Sequence, residues 1–494
     1  MSQRILPIDT TRLRLQVLSP DDVQRIHWAT LDLIETVGVH FPSERALDIL
    51  HGHGATIDRE KQIAHIPGHV VEEAMSKAPA AYTLCARENP ELDLPLDGYH
   101  AYLAVDGTGI EVLDPYTGKK RISTKQDVAD SMRVADYMEE IALIWPPISA
   151  QDCPAETRAL HELEATWNNY AKHVQTESIV TVHEMKAAIE MAAAIVGGHD
   201  ELRRRPILSI MQCTISPLAQ DGGSIDAALV AAEAGLPVAF MTMASCGFSG
   251  PASLAGNLTV GNAEVISALA LMEMACPGCP VYYAAAQTAM DPRSGAYTGG
   301  GPEDYLFGAA TNHLADFYHI PLSMGAFATG AKQPDWQAAF DNVFAGLLPV
   351  LTGSDLLQGA GMLYGSRIFS YEQLLLDCEI YSAVRAVANG IPVTDDTLAL
   401  DVIKDVGARG NFIAHKHTRQ HIVDLWQPRF IDRRPYSNWE ADHKGSREWA
   451  NEKARWILQN HQPVPLDPKL SAELRRSIAS LEQGLGVMPP PTVV

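Results

Sequence analysis

The chain has 494 residues, 46% of them hydrophobic, and carries 60 acidic against 38 basic side chains for a net charge of −22. That length fits one embellished barrel or two domains. An acidic chain whose only tight basic runs are Arg203-Arg204-Arg205 and Arg433-Arg434 is a poor nucleic-acid binder, because phosphate contacts need clustered cations.

The opening MSQRILPIDTTRLRLQVLSP has no apolar core of signal-peptide length. No apolar stretch approaches the ~18–20 residues of a membrane span. Seven scattered cysteines make no disulfide framework. A cytoplasmic protein that binds no membrane is the expectation.

Ser19-Pro20-Asp21-Asp22 reads as a helix start, with an N-cap serine and proline in the first turn. Val23, Ile26, Thr30, Ile34 and Val37 follow at helical spacing, and Gly38 suits the C-terminal cap. A second helix is predicted over 43–52 and a third after Pro67. Residues 100–105 and 110–113, flanking Asp106-Gly107-Thr108-Gly109, read as a β-hairpin. Thr124 then caps a helix that runs to about Met138.

From there strand-like apolar runs start about every 30–40 residues, at 141–149, 173–180, 206–216, 237–246, 280–288, 320–328 and 355–361. Ala-rich helical segments such as 224–234, 262–275 and 303–318 lie between them. Strands apolar on both faces and alternating with helices imply parallel βαβ units. Seven units predict an α/β fold, a TIM (β/α)8 barrel whose eighth strand the pattern does not place. A doubly wound open sheet is the alternative, weakened because no GxGxxG follows the first strand. The predicted organisation is an N-terminal helical and β-hairpin embellishment at 1–138, the barrel at 139–397, and a polar, helical C-terminal extension at 398–494. That extension would pack around the barrel or against a second subunit.

Barrel chemistry sits where strands end. Here those ends are mostly neutral: Gln175-Thr176-Glu177-Ser178, Cys213-Thr214-Ile215-Ser216, Ala244-Ser245-Cys246, Gln287-Thr288, Thr329-Gly330-Ala331-Lys332 and Gln358. Glu177 and Lys332 are the obvious charges. So few acid–base groups suit positioning rather than hydrolysis or proton abstraction. Cys276-Pro277-Gly278-Cys279 lacks the second ligand pair of a zinc site and reads as a helix-stop turn. His415-Lys416-His417, with no nearby carboxylate in sequence, reads as loop anchoring. No stoichiometric zinc and no bound metal are expected. Thr298-Gly299-Gly300-Gly301-Pro302-Glu303 opens a helix, so its N–H groups could seat a substrate carboxylate or simply form a turn. Trp145, Phe248, Tyr282, Tyr283, Phe327, Trp336, Tyr364 and Tyr371 fall near strand ends, where a converging set would hold a quaternary ammonium by cation–π attraction.

Several stretches, in this order along the chain, resemble the trimethylamine methyltransferase family: 105–128, NYAKHVQTES at 169–178, GGPEDYLFGAA at 300–310, GAKQPDWQAAFDN at 330–342, and 410–439 with its His417-Thr418 pair. The resemblance implies a TIM barrel that passes a substrate methyl group to the Co(I) corrinoid of a partner protein and holds no tightly bound cofactor itself. Founding members of that family carry pyrrolysine near the end of the sixth strand and act on trimethylamine. Here the stretch reads AFATGAKQPD, ordinary residues throughout. It is similar in this to relatives that demethylate quaternary amines such as glycine betaine.

The residues expected to bind substrate are Trp145, Gln175, Glu177, Gln287, Gly300, Glu303, Phe327, Gly330, Ala331, Lys332, Gln358 and Tyr364; no catalytic residue is assigned. A methylated amine, a corrinoid protein and a second copy of the chain are the expected partners. The rival readings are a Schiff-base or decarboxylase barrel using Lys332, and a betaine-binding protein without catalysis.

Overall fold

The computed structural model describes residues 3–105, 107–296 and 299–487. Eight parallel strands form its centre: β1 (His100–Val105), β2 (Ile141–Ile144), β3 (His173–Thr176), β4 (Leu208–Cys213), β5 (Val238–Thr242), β6 (Val281–Ala285), β7 (Leu322–Gly325) and β8 (Leu356–Gln358). Each pairs with the next, and β8 pairs with β1 through Leu356 to Tyr102 and Leu357 to Leu103, which closes the ring. The barrel is therefore closed, and the open-sheet alternative is excluded.

The strand that sequence did not place is β1. Residues 100–105 are not one arm of a hairpin: they run parallel to β2 and β8, and 111–113 joins a separate sheet. The barrel thus begins at His100 rather than at 139. Asp106, in the turn of the expected hairpin, lies outside the described residues.

A helix follows every strand: α1 (Lys125–Tyr137), α2 (Arg158–Asn169), α3 (Val182–Val196), α4 (Gly222–Ala234), α5 (Leu254–Ala275), α6 (Pro302–Tyr318), α7 (Trp336–Thr352) and α8 (Tyr371–Ala388). Their starts are locally encoded. Thr124 makes a capping box with Asp127, and Thr181, Asp221, Asp335 and Ser370 each accept from an N–H of the first turn.

Contrary to the sequence expectation, α5 is long and apolar enough to cross a membrane, but 89% of its apolar window is buried, as in a core helix. It packs on β5, β6 and the N-terminal helices 20–32 and 68–75.

The predicted N-terminal helices are present, with Ser19 and Asp22 forming a capping box and Gly38 ending the first at φ 81°. A hairpin of 82–84 and 94–96 closes the N-terminal end of the barrel, since Leu84, Leu94 and Leu96 join the inward-facing Tyr102, Leu143, Met211, Met241, Tyr282 and Leu356. Over the other end, loops after β1 and β8 knit a small sheet of 362–363, 368–370, 111–113 and 120–122. Chain 446–460 packs along α8 and α1, and 468–485 against α2 and α3. The stretch between α8 and 446 packs differently: from Asn389 to Trp449, Phe430 alone is buried.

Candidate functional site at the barrel mouth

Strand parity decides which polar residues enter the barrel. Leu356 faces in and Leu357 out, so Gln358 faces in at the C-terminal end of β8. Leu143 and Trp145 face in at β2. From β3 and β4 come His173, Gln175, Ser209 and Met211. They form a fixed polar column: His173 Nδ1 lies 2.9 Å from Cys85 O and its Nε2 2.9 Å from Ser209 Oγ, and Tyr282 donates to Gln175 Oε1 at 2.5 Å. Burial pushes the His173 imidazole down to about 4, so it is neutral.

Above this column stands Glu177, whose Oε1 accepts from Cys213 Sγ at 3.0 Å. No ion pair to it occurs among the described residues, and burial raises its carboxyl above the usual range. Toward the mouth, β6 and β7 present the small residues Ala284, Ala286 and Gly325 inward, one layer above Tyr282.

Gln358 is fully buried, yet neither its amide oxygen nor its nitrogen has a partner; the indole N–H of Trp145 is also unpaired. An unpaired buried polar group costs roughly 1–3 kcal/mol, so such groups on an inward face mark a place where a ligand or water completes them.

The other expected residues distribute differently. Gln287 has the opposite parity: its Nε2 donates to Asn257 O of α5 at 2.9 Å, and it borders a side void of about 20 Å³ between the ends of β6 and β7 and helices α6 and α7, about one water in size. Phe327 is wholly buried outside the barrel, against Gly346 and Gly359, and Ala331 in a small cluster with Leu113, Ala338, Leu363 and Ile368. Both are packing residues rather than ligand contacts. Gly330 N donates to Gly299 O at 2.6 Å and Tyr364 N to Ala331 O at 2.8 Å, so these loops brace one another. Lys332 is exposed; its Nζ donates to Gly330 O at 2.6 Å and lies 5.1 Å from the Tyr364 ring centre. That is not the desolvated setting Schiff-base chemistry uses.

The glycine loop is not an open anion seat. Gly299, Gly300 and Gly301 all take positive φ, and the Gly300 N–H is already given to Asp304 Oδ2 at 2.7 Å. Asp304 also accepts from Thr288 Oγ1 at 3.0 Å, and burial raises it to about 6. Asp341 accepts from Thr329 Oγ1 at 2.6 Å, and Glu303 is exposed beside the loop. Three carboxylates there disfavour a bound anion. Thr298 lies outside the described residues. Asp304 and Asp341 were missed in the sequence because they sit inside helices with nothing to distinguish them from surface acids.

Glu264, also missed, gathers Thr214 Oγ1, Ser216 Oγ, Thr242 Oγ1 and Leu218 N at 2.7–3.0 Å. The neutral strand ends of β4 and β5 are therefore largely taken up in holding their own loops. Cys276 caps the end of α5, and Cys279 Sγ faces Glu273, which agrees with a helix-stop turn. His415 Nδ1 accepts from His417 N at 3.1 Å, the expected loop anchor. The fold does supply carboxylates that sequence distance concealed, however. Asp405 lies 3.6 Å from His415, and Asp396, His417 and His421 bring three donor atoms within 4.8 Å of one another on the C-terminal segment.

A closed parallel barrel with its inward polar groups at the C-terminal ends of the strands belongs to the TIM-barrel enzyme class. The chain matches the trimethylamine methyltransferase (MTTB) family over residues 2–486, and it belongs to that family, whose members are methyltransferases of methylated amines. It is 35% identical over 470 residues to trimethylamine methyltransferase MttB of Desulfitobacterium hafniense, covering 95% of this chain and 94% of that one. It is 31% identical over 476 residues to glycine betaine methyltransferase of Desulfitobacterium hafniense strain Y51, covering 96% and 98%. Among solved structures, the monomethylamine methyltransferase of Methanosarcina barkeri shares the fold with a TM-score of 0.54 at 10% identity, covering 92% of this chain and 90% of that one.

Proposed function

We propose that this barrel demethylates a quaternary amine of the betaine type and delivers the methyl group to a corrinoid protein. The observation that carries the reading is the set of inward groups at the mouth: the Trp145 indole, the unpaired Gln358 amide and the Glu177 carboxyl, which has no cation partner among the described residues. An aromatic face and a carboxylate attract an ammonium ion, and a short amide fixes its orientation. A quaternary nitrogen leaves as a neutral amine, so no proton need be delivered to it, which suits a mouth poor in acid–base pairs.

A Co(I) corrinoid on the partner supplies the nucleophile. This chain binds the amine, directs its N–CH3 bond outward and excludes water; alignment of that kind is worth several kcal/mol. Ile215, Met243 and Phe248, on the loops after β4 and β5, are exposed. They give the rim an apolar surface fit for the face of a macrocycle. Lys332, exposed beside Tyr364 on the loop after β7, is the proposed partner of a substrate carboxylate.

The test is methyl transfer to a reduced corrinoid protein from glycine betaine, carnitine, choline and trimethylamine, read from the corrinoid spectrum. A quaternary amine should support transfer, and Glu177→Gln should raise its KM at least tenfold. Transfer from trimethylamine alone would refute the reading. Preference for choline over glycine betaine would remove the carboxylate from it.

A further inference from the structure

Residues 390–443 leave the barrel at the end of α8 and rejoin it at 446. Their helices, Asp395–Leu398, Leu400–Val406, Lys416–His421 and Tyr436–Asp442, bury no residue. Helices of 4 to 7 residues do not persist in water on their own hydrogen bonds. Something other than a hydrophobic core must hold this segment.

Two of these helices meet through a polar cluster. His417 and His421 stand four positions apart on one helix, so both imidazoles lie on the same face, with ring centres 4.1 Å apart. Asp396, on the other helix and 21 positions from His417, meets both. Its Oδ2 lies 3.2 Å from His421 Nε2, and its backbone oxygen 3.2 Å from His417 Nε2. One donor atom from each of the three residues falls within 4.8 Å of the others.

Donor atoms held about 2.0–2.2 Å from a four-coordinate zinc ion stand roughly 3.3–3.6 Å from one another. Two separations here are already close to that spacing. Asp396 is exposed and the two histidines are half-buried, so small side-chain rotations bring the rest to it. The surroundings also orient one ligand. His421 Nδ1 lies 3.1 Å from Asp424 Oδ2. A proton on Nδ1 donated to Asp424 leaves the Nε2 lone pair facing Asp396, the carboxylate–histidine–metal arrangement that fixes a ligating imidazole. Pairing with Asp396 and Asp424 accounts for His421 alone; an ion shared with Asp396 also accounts for the second imidazole held beside it. Imidazole nitrogens select zinc and its transition-metal neighbours over calcium and magnesium, which take oxygen ligands.

We propose that Asp396, His417 and His421 bind a zinc ion, which clasps the 395–398 helix to the 416–421 helix. A metal clip that closes a loop of this length removes open states of the segment, and its binding energy becomes folding energy there. Sequence spacing implies a metal-free chain; the fold brings together what spacing keeps apart. The proposal does not rest on the function proposed for the barrel mouth.

The experiment uses the full chain without an affinity tag, stripped by chelation and titrated with zinc against a chromophoric chelator. One zinc per chain should bind with a micromolar Kd or tighter. Asp396→Asn and His421→Gln should each raise Kd at least tenfold, and His417→Gln with His421→Gln should abolish binding. His199→Ala, at an exposed histidine elsewhere, should leave it unchanged. Since these side chains lie outside the core, far-UV circular dichroism should be the same in all variants. Cobalt(II) should give the visible absorption of a four-coordinate ion in the wild type and none in the double variant. Zinc should slow proteolysis between 390 and 443 at least tenfold in the wild type but not in the double variant, and calcium and magnesium should not slow it. A wild type that binds no zinc overturns the proposal, as does zinc binding that the double variant retains; the cluster is then a set of aspartate–histidine pairs. Equal protection by calcium overturns the choice of ion, and zinc bound at the site without slower proteolysis overturns the clasp.

Discussion

At the scale of residues, Gln358 separates stability from function. Its buried amide lacks partners, so it lowers the stability of the unliganded protein and is available to a ligand. Gln358→Leu should raise stability by about 1–3 kcal/mol. It should also abolish the thermal shift given by a bound methylated amine, which for the wild type at 100 times Kd is about 2.7 kcal/mol. Differential scanning fluorimetry with and without ligand measures both. A variant that loses stability and keeps the ligand shift would place Gln358 in the packing. Sequence made Gln358, Trp145 and Glu177 visible as polar or aromatic residues at strand ends. It did not show that Gln287 and Phe327 turn away from the barrel axis, because a residue just past a strand changes face with one step of chain, or that Ala331 packs in the loop cluster with Leu113 and Leu363.

At the scale of elements, the loop before α6 is held by its backbone conformation. A Cβ on Gly300 would lie 2.5 Å from Asp341 Cγ, at a φ of 85° that side chains rarely adopt. Gly300→Ala should therefore displace Asp341 and the start of α6, and cost about 1–3 kcal/mol of stability. Thermal unfolding checks the stability, and methyl transfer should fall with it because α6 borders the mouth. The turn at the end of α5 should behave oppositely. Cys276→Ser with Cys279→Ser removes two thiols that end a helix on the side of the barrel away from the mouth, so transfer activity should stay within about twofold, while the buried Cys279 should cost about 1 kcal/mol of stability. Elemental analysis of that double variant should show no loss of metal relative to wild type.

At the scale of the molecule, buried carboxylates govern pH behaviour. Burial raises Glu162, Glu273 and Asp377 to about 7, well above their unfolded values. The folded state then holds more protons than the unfolded one between pH 4 and 7. The stability these groups contribute is present in acid and lost as pH rises through about 7. His173, held near 4, acts the opposite way below its unfolded value, and Lys172, which burial lowers to about 8, acts the opposite way as pH approaches 8, so the carboxylates dominate between about pH 6.5 and 7.5. The melting temperature should fall across that window, and Glu162→Gln should flatten the slope by up to about 1.36 kcal/mol per pH unit. A melting temperature that rises with pH there would contradict the burial argument.

By itself the sequence determined the alternation of strand and helix, the caps that start the helices and the family. Each rests on short-range patterns of apolarity and hydrogen-bonding side chains, which a chain displays before it folds. Tertiary structure alone decided that 100–105 is the first barrel strand, that Asp304 and Asp341 flank the glycine loop, that Asp396 reaches His421, and that between Asn389 and Trp449 Phe430 alone is buried. These depend on contacts between residues tens or hundreds of positions apart, and on burial, which exists only once the ring of strands has closed.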